Sequence, residues 1–217
     1  AMKRKRRIAT REVYKWKARL NVGGHKQEYG VHYWETYSPV VRWTTIRLCL
    51  ILALLSGWST RQLDFVQAYP QAKVSTDNVF IDIPQGVEFQ GDRKIHCLHV
   101  LQNVYGGKDA GRTWSIHMDK GLRELGFKRS AVDECLYYRG RTLFLVYVDD
   151  GILIDPDPAN IEQAMKDLSS RFDIEDEGDI DDYLGVKVEQ GEQKGTYHLT
   201  QPHLIDSILE DLQLLNH

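Results

Sequence analysis

Cysteine is scarce in this chain, and its scarcity excludes two scaffolds. The three cysteines, Cys49, Cys97 and Cys135, are scattered, odd in number and without any C-x-x-C spacing, which argues against a disulfide framework and against a structural zinc site. A reducing intracellular compartment suits them best. The eight histidines form no H-E-x-x-H pattern and read as surface or core residues. No apolar run reaches the length of a membrane span, Leu48 to Leu55 being far too short. A secretory signal is missing as well. Charge of one sign is also lacking overall: the net value is −3, so the whole-chain balance predicts no polyanion binding.

The distribution of charge is less even than its sum. Lys3 to Arg19 holds nine Lys/Arg and one acid, whereas Asp155 to Asp182 holds eleven acids against Lys166 and Arg171. A basic end suits phosphates and an acidic segment suits cations or solvent. For most of the acidic segment, a solvated helix face and loop is the expected role. Lys3-Arg4-Lys5-Arg6-Arg7, after the opening Ala-Met, reads equally as an artificial boundary, a nuclear-localisation patch or a phosphate-binding arm.

With 217 residues and an ordinary apolar fraction, the chain has enough material for one large domain or two small ones. A strand pair is expected from Lys15 to Val22 and beyond, broken at Gly23-Gly24. Thr44-Thr45 caps an apolar helix running to about Leu55, which Gly57 ends. A strand from Trp58 leads to Asp64, then a short helical piece through Gln71. Val79–Ile83 and Ile95–Leu101 alternate as half-buried strands. Thr113–Leu125 is a helix with Trp114, Met118 and Leu122 on one face and Gly126 behind it. Strands at Cys135–Tyr138 and Thr142–Val148, a helix at Ala159–Phe172, strands at Tyr183–Glu189 and Thr196–Thr200, and a helix at His203–Leu214 complete the pattern. Interleaved helices and strands, several joined by short turns, give an α+β fold with an antiparallel sheet at its centre.

The most informative stretch is Leu143-Phe144-Leu145-Val146-Tyr147-Val148-Asp149-Asp150-Gly151-Ile152-Leu153-Ile154. Two strand-length apolar runs flank Asp-Asp-Gly, a composition suited to a tight hairpin turn. An ordinary solvated turn explains it equally well by propensity alone. A second acid in a similar setting, Asp64 at the end of a strand, shifts the balance. Carboxylates at the tips of buried strands are costly unless positive charge meets them. Two-metal enzymes draw such acids from separate strands to hold cations about 3.5–4 Å apart. Phosphoryl chemistry is the implied class.

Several motifs in register carry a resemblance. Trp16-Lys17-Ala18-Arg19-Leu20, Glu35-Thr36-Tyr37-Ser38-Pro39-Val40-Val41-Arg42, Thr44-Thr45-Ile46-Arg47, Gln62-Leu63-Asp64 with Ala68-Tyr69, Tyr105-Gly106 with Lys108, Tyr147-Val148-Asp149-Asp150, Leu184-Gly185 and Leu199-Thr200-Gln201 together resemble the reverse transcriptase of copia-type LTR retrotransposons. The resemblance spans roughly residues 14–205. It implies a right-hand polymerase palm, an antiparallel sheet flanked by helices, with fingers and at most the start of a thumb. The implied division is a basic arm or boundary over 1–13, fingers over 14–60 and 79–112, palm over 61–78 and 113–190, and thumb from 191–217.

The same resemblance implies DNA synthesis from dNTPs on an RNA or DNA template, with two Mg2+ ions, or Mn2+ in their place. Asp64, Asp149 and Asp150 would be the catalytic and metal-binding acids. Phe65 would offer its backbone beside the triphosphate, and Tyr69 would be a steric gate against a ribose 2′-OH, although a core aromatic is its plain reading. Lys17 or Arg19 would meet the β- and γ-phosphates or the template backbone. Tyr105 and Gly106 would line the nucleotide pocket, and Leu184-Gly185 would form the primer grip, with a plain hairpin turn as competitor. Implied partners are primer–template, dNTP and the remainder of a Gag-Pol-type polyprotein, with integrase and RNase H, and no membrane. The implied location is the cytoplasm, in a virus-like particle, with nuclear access.

The chain departs from that family in places. Gly107-Lys108-Asp109-Ala110-Gly111-Arg112 stands where the family more often has Leu, Gln and Pro at three positions. Losing the proline is expected to loosen the turn, and the added Asp to burden a template track. Asn21-Val22-Gly23-Gly24-His25 replaces a more basic run, and Tyr69-Pro70-Gln71 replaces Phe-Leu-Asn. The alternatives are a catalytically inactive or truncated retroelement remnant that binds nucleic acid, and a cyclase-like palm site, against which Tyr69 and the basic stretch argue.

Overall fold

The computed structural model describes residues 2–6, 13–180, 182–183, 186–191 and 196–214. In chain order its elements are β1 (Met2–Arg6), β2 (Val13–Ala18), α1 (Trp43–Ser56), β3 (Ser59–Phe65), β4 (Phe80–Asp82), β5 (Cys97–His99), α2 (Ala110–Glu124), β6 (Lys128–Arg129), β7 (Leu136–Arg139), β8 (Thr142–Tyr147), β9 (Asp150–Asp155), α3 (Pro158–Arg171), β10 (Ile174–Gly178), β11 (Asp182–Tyr183), β12 (Val186–Gln190), β13 (Tyr197–Thr200) and α4 (Pro202–Asp211). The fold is mixed α and β with antiparallel sheets, as expected. The chain forms two compact units, residues 1–39 with 67–121 and residues 40–66 with 122–217. No helix of the described residues is long and apolar enough to cross a membrane.

The second unit is built on a six-stranded sheet in the order β10-β3-β9-β8-β7-β6, every neighbouring pair antiparallel. Ile152 and Ile154 of β9 and Leu145 of β8 pack against Ile46, Cys49, Leu50 and Ala53 of α1, the i, i+3, i+4, i+7 face of a helix that is apolar on its outer side as well. Alternation sends Arg61, Leu63 and Phe65 to the other face. There Arg61 pairs with Glu162 of α3 at 3.2 Å, and Phe65 meets Phe172 edge-to-face at 5.4 Å. Burial pushes the Cys49 thiol up to about 11 and Cys135 to about 12, with Asp133 adding to both, so neither is a nucleophile near neutrality.

α1 ends at Gly57 in the left-handed region (φ 64) as its glycine predicts. Its start differs from expectation: Arg42 is the N-cap and contributes no side-chain bond. The capping acceptor comes from far along the chain. Asp133 accepts from the Arg42 amide at 3.0 Å and the Thr45 hydroxyl at 2.6 Å.

Most of the described acids between Asp155 and Asp179 are exposed, as expected of a solvated face; the details differ. The first of them, Asp155, is fully buried and accepts from the Thr142 hydroxyl, the Asp157 amide and the Asn160 amide group. Asp157 caps α3 by accepting from the Ala159 amide at 2.9 Å. Ile174–Gly178 is no loop but β10, paired with β3.

The first unit holds two small strand pairs, β1 with β2 and β4 with β5. The expected strand pair over Lys15–Val22 is replaced by pairing of β2 back onto β1, while Asn21 bridges to Tyr105. The Asn103 side-chain amide is buried and donates to the carbonyls of Ala72 and Lys73 and to the Thr113 hydroxyl, tying three segments together. α2 begins three residues earlier than its apolar periodicity suggests.

Candidate active site

The β8–β9 hairpin turns on two residues, Val148 and Asp149, with Tyr147 opposite Asp150. The turn therefore sits one step before the expected Asp-Asp-Gly. Val148 has φ 57 while Asp149 keeps an ordinary negative φ, the pattern of a II′ hairpin turn with a β-branched residue in the place glycine prefers. Such strain persists only where the surroundings impose it. Gly151 lies inside β9, and space rather than φ explains it: a Cβ there would come within 2.7 Å of the Phe144 ring and 3.1 Å of Leu63.

Asp64 stands directly opposite Asp150 across β3 and β9. The Phe65 amide donates to the Asp149 carbonyl at 2.6 Å. Ladder alternation then makes Asp64 and Asp150 a non-hydrogen-bonded pair, the kind whose side chains approach most closely, with Cα atoms about 4.5 Å apart. All three acids are half-buried. Phe65 itself is 1 % exposed and packed under the sheet, so its side chain takes no ligand role.

Like charges directly opposite one another on a sheet are destabilising, and a cation would relieve them. Among the described residues no three Asp, Glu, His or Cys side chains are already closed around a cation position. Mg2+ does not require that, since it keeps several waters and binds through one or two carboxylates plus substrate phosphates. A second observation fits. The Tyr183 hydroxyl is buried on the Asp150 side of the sheet and finds no hydrogen-bond partner among the described residues. Burial first, then the charge of Asp150, pushes it up. The donor set and its surroundings fit a hydrated, oxygen-bound cation.

The remaining candidates fall in the first unit. Tyr69 follows β3 on a single 3₁₀ turn with Pro70 and Gln71. Its ring lies 5.2 Å from that of Tyr105, and the Arg19 guanidinium sits 5.1 Å from the Tyr105 ring centre, within cation–π range. Tyr69, Tyr105 and Arg19 are thus brought together. Lys17 lies on β2 opposite Lys3. Gly106 has φ 88, and a Cβ on it would meet the Val22 carbonyl oxygen at 2.4 Å; one on Gly24 would meet the Gly106 carbonyl oxygen at 2.0 Å. Leu184 and Gly185 lie outside the described residues, between the paired strands β11 and β12.

Residues 2–217 match the profile of the family described as reverse transcriptase (RNA-dependent DNA polymerase). The chain belongs to that family. It is 34% identical over 81% of its length to the retrovirus-related Pol polyprotein from transposon RE1 of Arabidopsis thaliana. Against that from transposon RE2 of the same plant it is 34% identical over 86%, and against that from transposon TNT 1-94 of Nicotiana tabacum 29% over 94%. These relatives make it a reverse transcriptase domain of the copia type. The chain spans only 12%, 13% and 16% of the three polyproteins respectively. No solved structure matches it.

Two departures of this reverse transcriptase domain from its family pattern pack against each other. The Val22 amide donates to the Tyr105 carbonyl at 2.8 Å, and the Lys108 amide donates to the Gln27 side chain at 2.7 Å. The turn without its proline is held by these bonds and by Gly107 donating to Val104 at 3.1 Å. Asp109 is no burden on an exposed track: it is 7 % exposed, accepts from the Ser75 hydroxyl, and its carbonyl starts the bonding of α2.

One residue of consequence had no signal in the sequence. Asp133 braces the start of α1, accepts from the Cys135 amide at 3.0 Å, and the Cys135 carbonyl in turn accepts from Val146 at 2.9 Å, beside the hairpin turn. Burial alone would raise its carboxyl. The Thr45 hydroxyl, the Arg42 and Cys135 amides and the Arg42 charge outweigh that and hold it below the usual carboxylate range.

Proposed function

We propose that this domain polymerises DNA on an RNA or DNA template, joining a primer 3′-oxygen to the α-phosphorus of a dNTP with release of pyrophosphate. The observation that carries the reading is the face-to-face placement of Asp64 and Asp150 on paired strands, with Asp149 in the adjoining turn, in a chain of the reverse transcriptase family. Two Mg2+ ions, or Mn2+, held by these three acids would supply the charge that draws triphosphate and primer oxygen together.

In this reading the Phe65 backbone flanks the triphosphate, Tyr69 lies under the sugar, and Tyr105 with Gly106 lines the base and sugar pocket. Arg19, stacked on Tyr105, or Lys17 meets the triphosphate, and either holds template backbone. Leu184 and Gly185 hold the primer end. The six-stranded sheet with α3 is the centre of the palm, and residues 191–217 open the thumb. The polyprotein setting of the relatives supports a place within a larger Pol polyprotein, and the proposal extends to integrase and RNase H as companions in a cytoplasmic particle with nuclear access.

The test is primer extension on RNA and DNA templates with Mg2+ and dNTPs, beside Asp149→Asn. Activity in the unsubstituted chain and a loss of at least about a thousand-fold in the variant, at unchanged thermal stability, is the expected result. Extension that survives the substitution sinks the site assignment. A folded protein that retains primer–template but never extends it replaces catalysis with binding alone.

A further inference from the structure

β10 is the outer strand of the six-stranded sheet, and its register sets Glu175 directly across from Asp64. Asp150 stands across from Asp64 on the other side. Cross-strand partners share a face, so Asp150, Asp64 and Glu175 form one row over three adjacent strands. The next acid along β10 points the other way and is neutralised: Asp176 pairs with Arg61 at 3.0 Å on the α3 face. Glu175 has no ion-pair partner among the described residues and is exposed. Beside Asp150 the Tyr183 hydroxyl, 2 % exposed, has no hydrogen-bond partner among the described residues and lies within the field of the Asp150 carboxylate, a polar group available to a cation-bound water.

We propose that Glu175 is a fourth carboxylate of the candidate site, standing beside Asp64 and strengthening the hold of Asp64, Asp149 and Asp150 on a divalent cation. The inference rests on the reading of those three acids as metal-binding. Glu175 acts by charge or through a cation-bound water, since its exposure leaves the dielectric close to that of water. For a doubly charged ion about 10 Å from Glu175, two side-chain spacings of about 5 Å along the row, one added negative charge acting through water changes affinity roughly four-fold, and salt weakens the effect.

The experiment measures Mn2+ binding to the protein by the electron paramagnetic resonance signal of the free ion, without nucleotide or primer. Four variants are compared with the unsubstituted chain: Glu175→Gln, Asp64→Asn, Asp149→Asn and Glu162→Gln. The last makes the same change of net charge on α3, at the opposite face. The expected result is a roughly four-fold weaker Mn2+ affinity in Glu175→Gln, a loss of binding in Asp64→Asn and Asp149→Asn, and little change in Glu162→Gln. Equal effects at Glu175 and Glu162, or none at Glu175 while Asp64→Asn abolishes binding, overturn the proposal and leave the three-acid site standing. Binding that survives both Asp64→Asn and Asp149→Asn overturns the proposal together with the reading beneath it. A metal-free melting temperature raised by Glu175→Gln is expected as well, because the substitution removes one of two like charges facing each other.

Discussion

In the unit of residues 40–66 and 122–217, Asp64 and Asp150 are placed by the hydrogen-bonded register of β3 and β9. In the unit of residues 1–39 and 67–121, Tyr105 and Gly106 are placed by irregular backbone locked against Val22 and Gly24. The two devices tolerate change differently. Register is written in many backbone bonds, so a side chain on the ladder can be exchanged without moving its neighbours. A loop that depends on two carbonyls approaching where a Cβ would stand has no slack for even one methyl group.

The contrast is open to experiment. Gly106→Ala forces φ 88 on a residue with a Cβ and drives that Cβ into the Val22 carbonyl. The expected cost is roughly 2–4 kcal/mol in urea unfolding, with dNTP affinity reduced and Mn2+ affinity at Asp64 retained. An unchanged melt would mean that the loop has room it does not show.

Asp133→Asn strikes the other unit at its brace and is expected to cost about 2 kcal/mol, the worth of hydrogen bonds to a charged acceptor. The pH dependence follows from its lowered carboxyl. Because the folded value lies below the unfolded one, the contribution is present above about pH 4, the ordinary unfolded value, and is lost as pH falls through the folded value. Acid titration of melting temperature should therefore fall less steeply in Asp133→Asn than in the unsubstituted chain; parallel curves would remove Asp133 from that role.

The smallest of these effects is expected at Tyr69→Val, which keeps an apolar group but removes the ring beside Tyr105. Ribonucleotide incorporation should rise about ten-fold relative to dNTP, the scale of a steric discrimination. Unaltered sugar preference would return Tyr69 to packing alone.

Much of the sheet was legible because apolar runs such as Leu143–Tyr147 and Ile152–Ile154 can be little else, and Gly57 and Gly126 end helices as their chemistry predicts. β10 was not, because Glu175-Asp176-Glu177 has no apolar alternation and becomes a strand only by pairing with β3. Gly151 misled in another way: glycine signals a turn, whereas here it makes room for Phe144, a requirement set by the neighbouring strand. The three acids could be named from the sequence, but the contact between Asp133 and Arg42, 91 positions apart, leaves no local trace. The mutual fit of the two departures, at Val22–Gly24 and Tyr105–Lys108, is equally invisible until the loops meet.

β10 has a consequence beyond metal chemistry. Together with β6 it bounds the six-stranded sheet, and an outer strand offers its backbone to any passing chain that can add to it. Two acids along this border, Glu175 and Glu177, would face the same two acids of a second copy attempting to align. The sheet thus repels its own duplicate at the border nearest Asp64, and molecules of this protein crowded together are protected there from zipping edge to edge.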